Sequence, residues 1–213
     1  PPLVLEKGFS KDTFISGPLT EAMEEGGLFF YNEVNRAPSE TINAVLTALD
    51  ERLITIPQLG EIKARKGFIP VFTYNPQDTV ATNPLPKAFY DRCIWINVSH
   101  QPLEEMIEIV KLRTSSTDNF LIRISCEIVE ASLNHPELEY GSTVRGAIQL
   151  VYLFRANERI DEIELIERAI SVHSRKIRSK TSSRKSEVKI IEEIISKVLS
   201  KYDDNRITRK KED

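Results

Sequence analysis

Apolar residues in this chain follow two rhythms. Up to about residue 98 they come in short runs, LFFY at 28–31, LITI at 53–56, FIPVFT at 68–73 and CIWINV at 93–98. Runs of this length, rich in aromatic and β-branched types and each preceded by Gly or Arg, predict strands. We expect strands at Leu28–Tyr31, Phe68–Thr73 and Cys93–Val98, and a hairpin of Leu53–Pro57 with Glu61–Lys66 around Gly60. The first two read as buried strands. Between them Ile42, Val45, Leu46 and Leu49 fall on one face of a helix that Ser39 can cap and that runs to about Arg52. Helical character is also expected at Leu19–Glu25, ended by Gly26-Gly27, and at Ala88–Arg92. Strands separated by helices predict a parallel α/β sheet.

From His100 onward the period becomes helical. Helices are predicted over Leu103–Lys111, Asn119–Leu133, Thr143–Asn157 (started by Ser142), Ile160–Ser179 and Glu187–Lys201, with Asn134, Pro136 and Gly141 as breakers. A small helical bundle is the expectation. Residues 1–16, with Gly8 between apolar runs, read as a surface hairpin. The tract Arg175–Lys185 holds six Lys or Arg and no acid, and its TSSRKS segment reads as an exposed linker.

Composition narrows the class. A chain of 213 residues with 40% hydrophobic and 29% charged content can bury one good core or two small ones, and a net charge of -3 leaves any basic surface local. No apolar run is long enough to span a bilayer, and Pro1-Pro2 does not open a targeting segment. Cys93 and Cys126 read as free thiols of a reducing cytosol, with cytoplasmic localisation following. His100, His135 and His173 share no ligand spacing with the cysteines or one another, so no metal signature is read. Phe29, Phe30, Phe72, Trp95 and Phe154 read as core.

The chemistry concentrates in GGLFFYNEVNRAP at 26–38, where four apolar or aromatic residues run directly into Asn32-Glu33. A strand that delivers a carboxylate at its C-terminal end is how α/β nucleotidases place a catalytic group beside a phosphate. The blocks GPLTEAM, GGLFFYNEVNRAP, AVLTALDERLITIP, VFTYNPQD and PLPKAFYDRC, followed by GSTVRGAIQLVYLFRA, together resemble the MoxR-like group of AAA+ ATPases, in its gas-vesicle and Rubisco-activation branch. The resemblance covers about Gly17 to Ala156. It does not extend to a Gly-rich phosphate loop with its Lys, which is not found in these residues.

The resemblance implies a partial AAA+ parallel-sheet nucleotide domain over 1–99, an all-helical lid over 100–180, and a basic linker with C-terminal helix over 181–213. It implies ATP and Mg²⁺ as cofactors, with Glu33 polarising water and Asn32 at the Mg²⁺-assisting position, where the usual Asp has been replaced by a neutral amide. Asn75 would be the first sensor and Arg145 the second, both facing nucleotide. Arg92 would be an arginine finger reaching a neighbouring subunit, and Arg36 either a cation at a subunit boundary or one that stabilises its own loop. The family couples ATP hydrolysis in a homo-oligomeric ring, usually a hexamer, to remodelling or maturation of a protein client, often one with a von Willebrand type A domain. Without a phosphate loop, the chain alone is expected not to hydrolyse ATP. Two other readings remain open: a non-hydrolysing scaffold that keeps AAA+ interfaces, and a nucleic-acid-binding module using Arg175–Lys185. A sheet lacking its first strand is also expected to expose an apolar edge and face.

Overall fold

The computed structural model describes residues 8, 10, 13–57, 59–76, 84–154, 160–202 and 207–208. The chain divides into two compact units, residues 1–97 and 98–213. Most of the hairpin expected at 1–16 lies outside the described residues.

The first unit is the α/β half. Helix α1 (Pro18–Glu25) starts with Pro in its first turn and ends at Gly26, whose φ of 74° is left-handed. A Cβ at Gly26 would also lie 2.4 Å from the Lys66 carbonyl oxygen, so both backbone and packing require glycine. Strand β1 (Leu28–Tyr31) follows, then a 3₁₀ turn (Val34–Arg36) and helix α2 (Ser39–Asp50). Ser39 is not the cap it was expected to be. Pro38 takes the cap position and no side chain caps the helix.

The hairpin forms as expected, β2 (Leu53–Ile56) pairing antiparallel with β3 (Gly60–Lys63). Strand β4 (Ile69–Phe72) then returns parallel to β1, in the register Leu28↔Ile69 through Tyr31↔Phe72. Helix α2 and the hairpin supply the long crossover that parallel pairing needs. Their shared core holds Met23, Phe29, Val34, Val45, Phe68 and Phe89, with Phe72 edge-on to Phe29 and Phe89 at 6.3 and 5.0 Å.

Three expectations fail in this half. β1 and β4 are buried on one face only: Leu28, Phe30 and Ile69 are 64%, 56% and 58% exposed. Phe30 is therefore not core. After the short helix α3 (Lys87–Tyr90), residues 93–98 form no strand, and Ile94 and Ile96 stand 95% and 82% exposed. Trp95 folds back instead, stacking on Tyr90 at 4.8 Å and donating its indole N–H to the Tyr90 carbonyl at 3.1 Å. A strand needs a neighbour to take its backbone hydrogen bonds, and among the described residues this segment has none.

The second unit is helical. Its helices are α4 (Leu103–Thr114), α5 (Asn119–Leu133), α6 (Val144–Phe154), α7 (Glu162–His173) and α8 (Glu187–Leu199). Side-chain caps fix three starts: Asp118 accepts from the N–H groups of Phe120 and Leu121, Asp161 from Ile163 and Glu164, and Ser186 from Lys189. Ile122, Ile128, Leu150, Leu165, Ile191 and Ile195 are fully buried in one core, so α8 belongs to the bundle rather than to a separate tail. Buried Glu127 is met by the Lys201 ammonium at 3.2 Å and by the Tyr202 hydroxyl.

A further expectation is corrected here. Helix α7 stops at His173, and Arg178–Ser179 form β7, antiparallel to β5 (Leu138–Tyr140). Thr181, Ser182, Arg184 and Ser186 are exposed, as expected of TSSRKS, while cations of the basic tract are tied to the bundle. Lys176 bonds Gln149, Arg178 lies 3.7 Å from Glu139, Lys180 donates to the Pro136 carbonyl at 2.6 Å, and Lys185 bridges Glu137 and Glu193. Two-residue strands β6 (Ile160–Asp161) and β8 (Ile207–Thr208) pair parallel.

Candidate functional site

Parallel pairing in register brings the C-terminal ends of β1 and β4 side by side, and the polar residues that follow each strand meet there. Thr73 ties them together. Its backbone N–H donates to the Tyr31 carbonyl at 3.0 Å and its carbonyl accepts from Val34 at 2.9 Å. Its hydroxyl accepts from the Glu33 N–H at 2.7 Å and donates to Asn32 Oδ1 at 2.7 Å. Beyond it, Asn35 Nδ2 donates to the Asn75 carbonyl at 3.4 Å. Asn32, Glu33 and Asn75 are thus held in one cluster by Thr73 and Asn35.

Glu33 sits at φ 53°, ψ 54°, a left-handed conformation that a non-glycine residue adopts at some cost. That geometry turns the chain sharply out of β1 into the 3₁₀ turn. Glu33 Oε2 lies 2.9 Å from Arg36 Nε, with both side chains about half exposed. The carboxylate is therefore neutralised by a cation three residues on.

Arg92 reaches Asp50 at the end of α2, its Nε donating to Asp50 Oδ1, and its Nη1 donates to the Ala88 carbonyl at 2.7 Å. The guanidinium holds the Asp50 carboxyl below the usual carboxylate range, and Asp50 in turn raises Arg92. Arg145 is exposed in the first turn of α6, within the second unit. Ser142, expected to start that helix, is fully buried, and its hydroxyl lies 2.8 Å from His173 Nδ1. Burial, with Lys176 adding to it, pushes His173 down to about 4.

A nucleotide bound through Mg²⁺ needs carboxylate or amide oxygens near the metal, and N–H groups with a cation around the phosphates. The strand-end cluster offers the first part, in Asn32 and Glu33. It does not converge a backbone N–H nest with a lysine among the described residues, so this donor set by itself does not hold the phosphates.

Sequence reasoning passed over Thr73, Asn35 and Asp50. Thr73 was discoverable, because it stands two positions before Asn75, just past the end of β4 and directly after the residue paired with Tyr31. A further grouping, His135 with Glu137 and Glu193, has ligand atoms within 4.8 Å of one another. Lys185 Nζ, at 3.2 and 2.6 Å from the two carboxylates, supplies the cation there.

Comparison with known proteins places the α/β half. Residues 6–93 match the model of the AAA domain of the dynein-related subfamily, a span that holds Asn32, Glu33, Asn75 and Arg92. The chain is 30% identical over 149 residues to the uncharacterized protein YojN of Bacillus subtilis, covering 67% of this chain and 49% of that one. It is 33% identical over 120 residues to the uncharacterized protein SERP0979 of Staphylococcus epidermidis, covering 55% and 45%. The chain spans about half the length of the curated relatives it matches. A solved structure from Cytophaga hutchinsonii is a loose likeness, with TM-score 0.36 and 21% identity over 80% of this chain and 65% of that one. No helix among the described residues is long and apolar enough to cross a membrane. Over residues 6–93, the α/β half of this chain is similar to the AAA domain of the dynein-related subfamily.

Proposed function

We propose that the chain is the rear part of a MoxR-like AAA+ ATPase, in which the strand-end cluster serves the terminal phosphate of ATP and turnover needs a phosphate loop carried on a further polypeptide segment. The observation that supports this most is the convergence of Asn32, Glu33 and the Asn75 main chain at the C-terminal ends of two parallel strands, tied by Thr73 and Asn35. Mg²⁺ with ATP would supply the scissile phosphoanhydride and neutralise charge on its phosphates. Glu33 would orient or deprotonate the attacking water, which requires its carboxylate to leave Arg36. Asn32 would hold a metal-bound water without the Coulomb attraction of an Asp.

Arg92 would act in a neighbouring subunit of a ring, usually a hexamer, after exchanging Asp50 for a phosphate. Arg145 would report the nucleotide from the helical unit, with a protein client, of the von Willebrand type A class in the family's pattern, as the object of remodelling. The setting is cytoplasmic.

A non-hydrolysing scaffold is the second reading. It is favoured by a specific observation: Glu33 and Arg92 are both satisfied inside the chain by Arg36 and Asp50. The nucleic-acid reading has less to draw on, since four of the six cations of Arg175–Lys185 are engaged within the bundle.

Phosphate release with Mg²⁺-ATP separates the two leading readings. The 213-residue chain alone is expected to show no turnover. The native polypeptide containing it, with a Gly-rich Lys loop, is expected to turn over, and Glu33→Gln to lower kcat about 100-fold or more. A native polypeptide that binds its partners but releases no phosphate establishes the scaffold.

A further inference from the structure

Three groups able to ligate a metal meet on the helical unit. His135 and Glu137 flank Pro136 in the turn between α5 and β5, Glu193 stands on α8, and their ligand atoms all lie within 4.8 Å of one another. The backbones that carry them are fixed. The His135 N–H donates to the Ser132 carbonyl at 3.4 Å, the His135 carbonyl accepts from Leu138 at 3.1 Å, and the Glu137 carbonyl accepts from Lys180 at 2.8 Å. Glu193 is followed by Ile194 and Ile195, which are 3% and 0% exposed, so its stretch of α8 is held by the core. Ligands on anchored backbone lose little freedom when a metal arrives.

Two independent observations point to a cation. The first is the donor set, in which His135 Nδ1 accepts the Glu137 N–H at 3.3 Å. This bond is longer than the usual ~2.9 Å, so a lightly held ring lone pair, not a ring N–H, lies on the Glu137 side. The second is that a cation already sits there. Lys185 Nζ, from the loop before α8, lies 3.2 Å from Glu137 Oε2 and 2.6 Å from Glu193 Oε2. Its hydrogen bond holds the Glu193 carboxyl below the usual carboxylate range, and the charges of Lys185, Lys189 and His135 add to this. The ammonium is on a flexible stem, and Thr181, Ser182 and Arg184 just before it are exposed, so it can leave. A divalent ion would balance both carboxylates where one ammonium balances one. An imidazole nitrogen with two carboxylate oxygens suits Zn²⁺ and its transition-metal neighbours, whereas Mg²⁺ and Ca²⁺ take oxygen ligands. Ligand atoms about 2.0–2.2 Å from a tetrahedral metal lie roughly 3.3 Å apart, so the group must close inward. Glu193, its side chain 39% exposed, has room to do so once the ammonium leaves.

We infer that His135, Glu137 and Glu193 form a site for a Zn²⁺-class metal ion, held by the Lys185 ammonium until the metal displaces it. The metal joins the turn after α5 to α8, keeps a fourth position for water, and frees the loop that carries Lys185. The site is independent of nucleotide, since none of its residues belongs to the strand-end cluster.

Calorimetric titration of the metal-stripped full chain with ZnCl₂, in millimolar MgCl₂, tests the site. One Zn²⁺ is expected to bind per chain in the micromolar range. In NMR spectra of the parent, the His135 ring signals are expected to move with the metal while those of His100 and His173 stay. Glu193→Gln is expected to weaken binding at least about tenfold, the loss that even an outer partner of a metal site brings. Lys185→Ala is expected to tighten it about threefold or more, because the site no longer has to be vacated first. A Lys185 that served only as a structural ion pair would give no such gain. The inference is overturned if no Zn²⁺ binds at one per chain, if the His100 ring responds in place of His135, if Glu193→Gln binds as the parent does, or if Lys185→Ala fails to tighten binding.

Discussion

The two units of this chain solve the same problem with unequal success. In the helical unit, Ile122, Ile128, Leu150, Leu165, Ile190, Ile191 and Ile195 have no exposed surface, and buried Glu127 is met by Lys201 and Tyr202. In the α/β unit, Leu28, Phe30, Ile69, Ile94 and Ile96 are each more than half exposed. The difference comes from how each element type satisfies its backbone. A helix closes its own hydrogen bonds, so five of them need only bury their apolar stripes on one another. A strand closes its bonds on a neighbour, and among the described residues the β1–β4 sheet has two strands, which leaves its outer edges and one face unserved.

Cutting the chain at the junction sharpens this contrast most. Residues 98–213 alone are expected to unfold cooperatively on heating, followed by circular dichroism at 222 nm, while residues 1–97 alone are expected to give no sigmoidal transition and to aggregate. A cooperative transition from residues 1–97 would show that the exposed apolar face costs that unit little. Within the full chain, Ile195→Ala in the helical core is expected to lose about 2–5 kcal/mol in urea unfolding. Ile94→Lys, on a side chain that touches little, is expected to leave that midpoint unchanged and to raise solubility.

What the sequence could show followed the same division. Asn119–Leu133 was legible to the residue, because Asp118 announces its start and the apolar period runs uninterrupted to Asn134. The parallel pair was legible from LFFY and IPVF. CIWINV was misread because its alternation reports what the segment would bury, not whether a strand lies beside it. Arg178–Ser179 was misread as helix because its pairing with Leu138–Tyr140 is a long-range fact that local period does not carry. At the candidate site, Asn32, Glu33 and Asn75 could be named from local motif. Their ties could not, since Thr73 and Asn35 act across 40 residues of sequence.

The next expected effect concerns pH and sits in the well-packed unit. His173 is fully buried, with Nδ1 on Ser142 and its other ring nitrogen unpartnered among the described residues, and its pKa is held down to about 4 against an ordinary 6.5. The unfolded chain therefore binds a proton that the folded chain refuses between those two values. The stability this supports is fully present above pH 6.5 and is lost as pH falls toward 4, a change on the order of 3 kcal/mol. Urea unfolding from pH 7 to pH 4 measures it, and His173→Gln is expected to flatten that slope. Gly146→Ala is expected to disturb the same spot, because an added Cβ would lie 2.4 Å from Ser142 Oγ and 2.6 Å from His173 Cε1.

The smallest effect tests the α/β unit at its chemistry. Glu33 and Arg36 are about half exposed and three residues apart, so their ion pair is solvent-screened and easily broken. A double-mutant cycle of Glu33→Gln and Arg36→Gln is expected to give a coupling of about 0.5 kcal/mol in unfolding, falling further in 0.5 M salt. A weak pair is what the proposed chemistry needs, because Glu33 must exchange Arg36 for water at little cost. The left-handed backbone at Glu33 argues the same way: the turn is held by Thr73 through the Glu33 N–H, not by the carboxylate. A coupling above about 2 kcal/mol would mean instead that Glu33 is fixed as a structural partner of Arg36, and would move the balance toward a scaffold that keeps the shape of the site without its activity.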